Sequence, residues 1–105
     1  MDQDRLAAAI RADRFEWRMH ALARMAERGI SQKDVLRVLC EGKIIEEYPQ
    51  YGPYPAALFL GTDADNRPLH VVAALDSAND FAYVITAYLP EEKYFHPDWK
   101  TRRTS

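Results

Sequence analysis

The hydrophobic period of this chain changes at Gly42, and that change limits its fold more than any other feature. Before Gly42 the apolar residues recur three and four apart; after it they alternate, with β-branched and aromatic residues enriched. Helical pattern followed by strand pattern implies an α+β domain, because an α/β fold would interleave the two. At 105 residues there is room for one core, which helices and sheet must share. The composition, 48% hydrophobic and 29% charged, supplies both that core and a wetted surface.

Leu6, Ala9 and Ile10 predict a short first helix with a weak stripe, reaching Arg14 and frayed at its tip. A second helix is predicted over residues 15–28, with Met19, Leu22, Met25 and Ala26 at helical spacing and Gly29 as a left-handed cap. Ser31 is placed to accept from the Asp34 N–H and open a third helix, with Val35, Leu36, Val38 and Leu39 as its buried stripe. Strands are predicted over 43–48, 56–60, 69–75 and 81–89. The segment 49–55, with three prolines and Gly52, breaks regular pairing, and Asp/Asn-rich turns separate the later strands. The expected architecture is a set of N-terminal helices on one face of a four-stranded antiparallel meander. A basic tail, 91–105, follows and is pinned to the body by Tyr94, Phe95 and Trp99.

Several function classes drop out early. No apolar run approaches the roughly 20 residues of a membrane-spanning helix, and the acidic start Met1-Asp2-Gln3-Asp4 lacks a signal peptide's positive region. The expectation is a cytoplasmic protein without membrane partners. Cys40 is alone, so neither an intrachain disulfide nor a thiolate cluster can form, and its place beside Leu39 predicts burial. His20, His70 and His96 lack zinc-ligand spacing and no phosphate loop is present, so neither metal nor nucleotide cofactor is expected. The net charge of −2 gives no global attraction to a polyanion. Cations gather instead between Arg5 and Arg28 and at Lys100, Arg102 and Arg103, the two regions able to hold a phosphate.

Two surfaces carry residues suited to chemistry. His20, Arg24 and Arg28, four apart, share an arc of about 80° on the second helix, expected to point away from the core opposite Met19, Leu22, Met25 and Ala26. The alternative is a solvated face paired with Glu16 and Glu27. In the sheet, a turn centred on Ala78 sets Val71, Ala73, Leu75, Phe81, Tyr83, Ile85, Ala87 and Leu89 against the helices. That register places His70 across from Thr86 on the open face, with Tyr88 next along. A hydrogen-bonded structural histidine is the alternative there. Tyr48, Tyr51 and Tyr54 could stack on bases, although tyrosines beside prolines more often cover a core edge.

The blocks His20-Ala21, Arg24-Met25, Glu27-Arg28-Gly29-Ile30-Ser31, Asp34-Val35, Ile44-Ile45-Glu46, Arg67-Pro68-Leu69-His70-Val71-Val72, Ile85-Thr86-Ala87-Tyr88 and Pro90 occur in one order. Across residues 15–103 the chain resembles the bacterial family called domain of unknown function 4258. The closing Trp99-Lys100-Thr101-Arg102-Arg103 also resembles that family, except that its Trp usually precedes an acid and here Asp98 comes before Trp99. The resemblance implies a fold similar to the RelE-like and barnase-like ribonuclease toxins. It also implies a metal-independent ribonuclease of a toxin–antitoxin system, acting on RNA free or at the ribosome, with a small zinc-finger antitoxin as partner and no cofactor. On that reading His20 or His70 is the acid or base and Arg24 and Arg28 clamp phosphate. Tyr88 and Thr86 orient or pass protons, and Lys100, Arg102 and Arg103 add phosphate contacts. The alternative is a non-catalytic RNA- or protein-binding module of the same fold.

Overall fold

Capping decides where the helices begin and end. In the computed structural model, which describes residues 1–104, Asp2 accepts from the Arg5 N–H and opens helix α1 (Gln3–Arg11). Ser31 accepts from the Asp34 N–H in the same way and opens α3 (Gln32–Glu41). Between them, Gly29 ends α2 (Met19–Arg28) at φ 67°, a conformation only glycine adopts at little cost.

The predicted 15–28 helix is two elements. Phe15–Trp17 forms a strand, β1, and the extended Arg18 separates it from α2. Phe15, Glu16 and Trp17 alternate, and three residues are too few for that period to stand out beside a longer helical pattern. The first helix also stops short of Arg14: Ala12 caps it and Asp13 turns at φ 61°.

The remaining strands are β2 (Lys43–Tyr48), β3 (Ala56–Thr62), β4 (Pro68–Asp76) and β5 (Phe81–Tyr88). Sheet order is β1-β5-β4-β3-β2. The four later strands form the expected antiparallel meander, and β1 adds a parallel edge to β5, so the sheet is five-stranded and mixed. The Ala82 N–H to Arg14 O and Arg18 N–H to Val84 O bonds tie that short edge at both ends.

The helices cover one face of the sheet. Leu6 and Ile10 of α1, Met25 of α2 and Val35, Val38 and Leu39 of α3 bury against Phe59, Val71, Ala73, Ala82, Val84 and Ala87. At Gly61 of β3 a side chain would place its Cβ 2.7 Å from Val38 Cγ2, so the glycine lets α3 approach the strand closely. Cys40 is half-buried beside this core, and burial raises its thiol pKa. No helix among the described residues is long and apolar enough to cross a membrane.

Two predicted faces are corrected. On α2 the buried residues are Ala21 and Met25, whereas Met19 is 85% exposed and Leu22 and Ala26 face out. Seven residues advance a helix by about 700°, so Arg28 lies nearly in line with Ala21 on the core-facing side. In the sheet, the four-residue turn 77–80 and a bulge past Val72 change the register. His70 pairs with Tyr88, Val72 with Thr86 and Ala73 with Val84. Ala82 and Val84 therefore face the helices, while Phe81 and Tyr83 lie on the opposite face, where Tyr83 stacks on Tyr54 at 5.4 Å. The turn explains the shift: Asp76 accepts from the N–H groups of Ala78 and Asn79, and Asp80 takes φ 49°.

Leu6 is fully buried, so α1 is part of the core despite its weak stripe. Leu6→Ala should lower the unfolding free energy by about 2–5 kcal/mol in denaturant titration. A change below about 0.5 kcal/mol, the size expected of a surface position, would show that α1 is not docked.

Candidate functional site

The outer face of the sheet is covered at one end by the tail, and the covering is built around His70. This imidazole sits on β4 with no exposed surface. Its Nε2 lies 2.6 Å from the Trp99 carbonyl oxygen, which can only accept, so Nε2 carries the proton. Nδ1, the remaining lone pair, is 3.2 Å from the Tyr88 hydroxyl, which donates to it. The rings of Tyr88 and Phe95 pack edge-on against the imidazole at 5.2 and 4.6 Å. Burial outweighs the hydrogen bond to Trp99 and holds the His70 pKa below 6.5, so the ring is neutral near pH 7.

A carboxylate beside this ring anchors the tail. Glu46 on β2 accepts from Arg102 Nε at 2.7 Å and Nη2 at 3.1 Å, a two-point pair, and from the Tyr48 hydroxyl at 2.5 Å. Burial alone would raise the Glu46 pKa, but the hydrogen bonds from Arg102 and Tyr48 prevail and keep it ionised. Burial and the Glu46 hydrogen bond push the Tyr48 phenol up to about 12. The Arg102 guanidinium also lies 4.9 Å from the centre of the Phe95 ring.

Next to this cover opens a cavity of about 530 Å³, lined by Arg28, Tyr88, Leu89, Glu91, Tyr94, Phe95 and Arg102. That size lies within the range of small-molecule sites. Arg28 enters from the end of α2 and donates through Nη1 to the Ala87 carbonyl at 2.8 Å. Strand β1 pairs with β5 only as far as Val84, so this more distant carbonyl is left for a side chain to satisfy. Arg102 commits Nε and Nη2 to Glu46 at the edge of this cavity. Burial raises the Tyr88 pKa, with the nearby Arg102 acting in the opposite direction, so the phenol stays protonated.

The predicted site residues thus separate into two groups. Arg28, Tyr88 and Arg102 meet in the cavity, and His70 joins them through the Tyr88 hydroxyl. The expected open face at His70 is closed, because Phe95 and the Trp99 carbonyl cap it. His20 is exposed on α2 outside the cavity lining, and Arg24 pairs with Glu27 at 3.2 Å. Thr86 is half-buried two pairs further along the sheet from Tyr88, opposite Val72. Lys100 is exposed, and Arg103 donates to the carbonyls of Glu92 and Phe95, structural bonds within the tail. Glu46 and Glu91 carry no sequence signal as site residues, and Tyr48, weighed in the sequence as a base-stacking candidate, instead donates to Glu46; only the pairing of Ile44-Ile45-Glu46 with a distant tail arginine points to Glu46. Among the described residues no group of three or more His, Cys, Asp or Glu side chains could hold a metal ion.

A family model described as Domain of unknown function (DUF4258) matches residues 17–89 of the chain. That match includes α2, His70 and Tyr88 and ends before the tail. No curated protein and no solved structure matches the sequence.

The depressed His70 pKa has a consequence for stability. As pH falls from above 6.5 through the folded-state value, the unfolded chain takes up a proton that the native ring resists, so stability declines over that window. Thermal melts between pH 8 and 5 should show this loss in the native chain and a flatter profile in His70→Gln. Parallel profiles would mean that the ring titrates normally.

Proposed function

The chain belongs to the family described as domain of unknown function 4258, and on that premise we propose that its tail-side cavity binds an RNA phosphodiester and cleaves it without a metal. The observation that supports this most is the meeting of Arg28 and Arg102 with a tyrosine hydrogen-bonded to a neutral histidine. Two guanidinium groups suit the charge of a phosphorane, and the aromatic walls Tyr94 and Phe95 suit a nucleobase. In this reading the ribose 2′-oxygen attacks phosphorus and the bond to the 5′-oxygen breaks, leaving a 2′,3′-cyclic phosphate. Tyr88 accepts the 2′-hydroxyl proton as it passes its own to His70 Nδ1, and the Trp99 carbonyl holds the imidazolium through Nε2–H. The departing 5′-oxygen takes a proton from water at the open side of the cavity. His70 therefore works through Tyr88, and His20 and Arg24 have no part in the reaction.

The toxin–antitoxin assignment, the RelE- and barnase-like comparison and a zinc-finger antitoxin partner belong to the same proposal, on the strength of the family resemblance. A second reading, a binding module that holds RNA or protein without cutting it, is favoured by two observations. Both His70 nitrogens are already bonded, and the exposed Glu91 carboxylate at the cavity would repel an anion.

Incubation of the purified chain with RNA separates the two. Cleavage to 2′,3′-cyclic ends, lost by about a hundred- to ten-thousand-fold in Tyr88→Phe and by a similar order in Arg28→Ala, is the expected result. RNA that is retained but left intact would support the binding module. Cleavage unchanged in Tyr88→Phe would remove the proposed relay.

A further inference from the structure

The wall of the cavity formed by the tail has an internal organisation unlike that of the rest of the body. Beyond Phe95, which is buried, the hydrogen bonds of 96–103 are largely local. His96 N–H donates to Thr101 O, Trp99 N–H to His96 O and Arg103 N–H to Tyr94 O, and the Asp98 carboxylate gathers the N–H groups of Lys100 and Thr101 and the Thr101 hydroxyl. The segment is a self-contained loop on an apolar anchor. Its polar ties to the sheet are the Trp99 carbonyl on His70 and the Arg102 pair with Glu46. Trp99 borders a groove of about 310 Å³ with Leu60, Thr62 and Pro68, which it leaves partly unfilled. Its backbone also stands at φ 61°, a conformation unfavourable for a bulky residue.

We propose that residues 97–103 form a displaceable latch, hinged beside Phe95 and closed by Arg102 on Glu46, whose opening uncovers His70 and dismantles the cavity wall. Closure brings Arg102 beside Tyr88 and places the Trp99 carbonyl on the imidazole. Opening breaks a salt-sensitive ion pair and the hydrogen bond to His70, strains or breaks the Arg103 bonds to Tyr94, Glu92 and Phe95 that cross the hinge, relieves the Trp99 backbone and carries the bonds around Asp98 along as one unit. The apolar core beneath, from Val71 to Ala87, is not disturbed. A partner that captured the tail, or an anion that competed with Glu46 for Arg102, would govern the cavity through this contact. The latch is a property of the chain itself and goes beyond the reading of the cavity as an RNA site.

Carbethoxylation of histidines, followed by peptide mass analysis, tests it, with exposed His20 as the internal reference. In the native chain at about 0.1 M KCl, His70 should react roughly tenfold or more slowly than His20. Raising KCl to about 1 M, which shortens the screening length from roughly 10 to 3 Å, should speed His70 several-fold relative to His20. Arg102→Glu should bring it close to the His20 rate, and the exchanged pair Glu46→Arg with Arg102→Glu should restore protection. His70 staying protected in Arg102→Glu and at high salt would make 97–103 a fixed part of the body and overturn the latch. His70 reacting as fast as His20 in the native chain would also overturn it. If Arg102→Glu loses its far-UV circular dichroism, the salt series on the native chain decides alone.

Discussion

An imidazole removed from water must have both nitrogens satisfied, and at His70 this requirement joins three separate parts of the chain. Tyr88 from the neighbouring strand donates to one nitrogen, and the Trp99 carbonyl from the tail accepts from the other. With either partner missing, a buried polar atom would be left unpaired, at a cost of about 1–3 kcal/mol. No buried side-chain polar atom among the described residues lacks a partner, so this demand is met throughout. The tail therefore lies where it does because strand β4 presents a histidine to the outer face at that point. Trp99 holds a left-handed backbone conformation there, a strain of about 1–3 kcal/mol that the surrounding contacts must offset.

The geometry of the cavity depends on that arrangement. Tyr88 is half-buried because it leans on His70, and Arg102 reaches the cavity edge because Glu46 holds two of its nitrogens. Arg28 arrives independently, as the last residue of a helix whose core-facing line runs from Ala21 through Met25. The sheet edge supplies its anchor, since β1 is too short to reach the Ala87 carbonyl. One arginine is thus placed by helix geometry and the other by the tail. The helices and the family match end before the tail begins, so the second arginine belongs to the part of the chain outside the matched region.

The α+β order could be read from the sequence because the change of period at Gly42 is sharp and each helix has a cap residue of the expected kind. Ser31 and Gly29 sit at the predicted ends. What escaped depended on single-residue phase. Three alternating residues at Phe15–Trp17 cannot be told from the start of a helix, so the parallel edge strand was hidden. The core line of α2 is misread because Met19 and Leu22 look like core residues in a helical pattern yet remain exposed, whereas Arg28, exposed as expected, lies in line with buried Ala21 and reaches the sheet edge. The register expected around Ala78 differs from the real one because the turn 77–80 is one residue longer than a turn centred there, which flips Phe81 to Val84, and the bulge past Val72 returns Ala87 and Tyr88 to their expected faces. Arg28 and Tyr88, which both line the cavity, are legible as candidate site residues from their types and blocks. The role of Arg102 was less so, since a tail arginine reveals its partner only when the fold brings Glu46 across 56 positions.

The protonation state of His70 is the point on which tail, cavity and proposed chemistry all turn. Nitrogen-15 NMR of the imidazole near pH 7 tests it most directly. A single neutral tautomer protonated at Nε2, with a slowly exchanging proton correlated to the Trp99 region, is the predicted spectrum. A rapidly averaging mixture of tautomers, or a charged ring, would contradict the account.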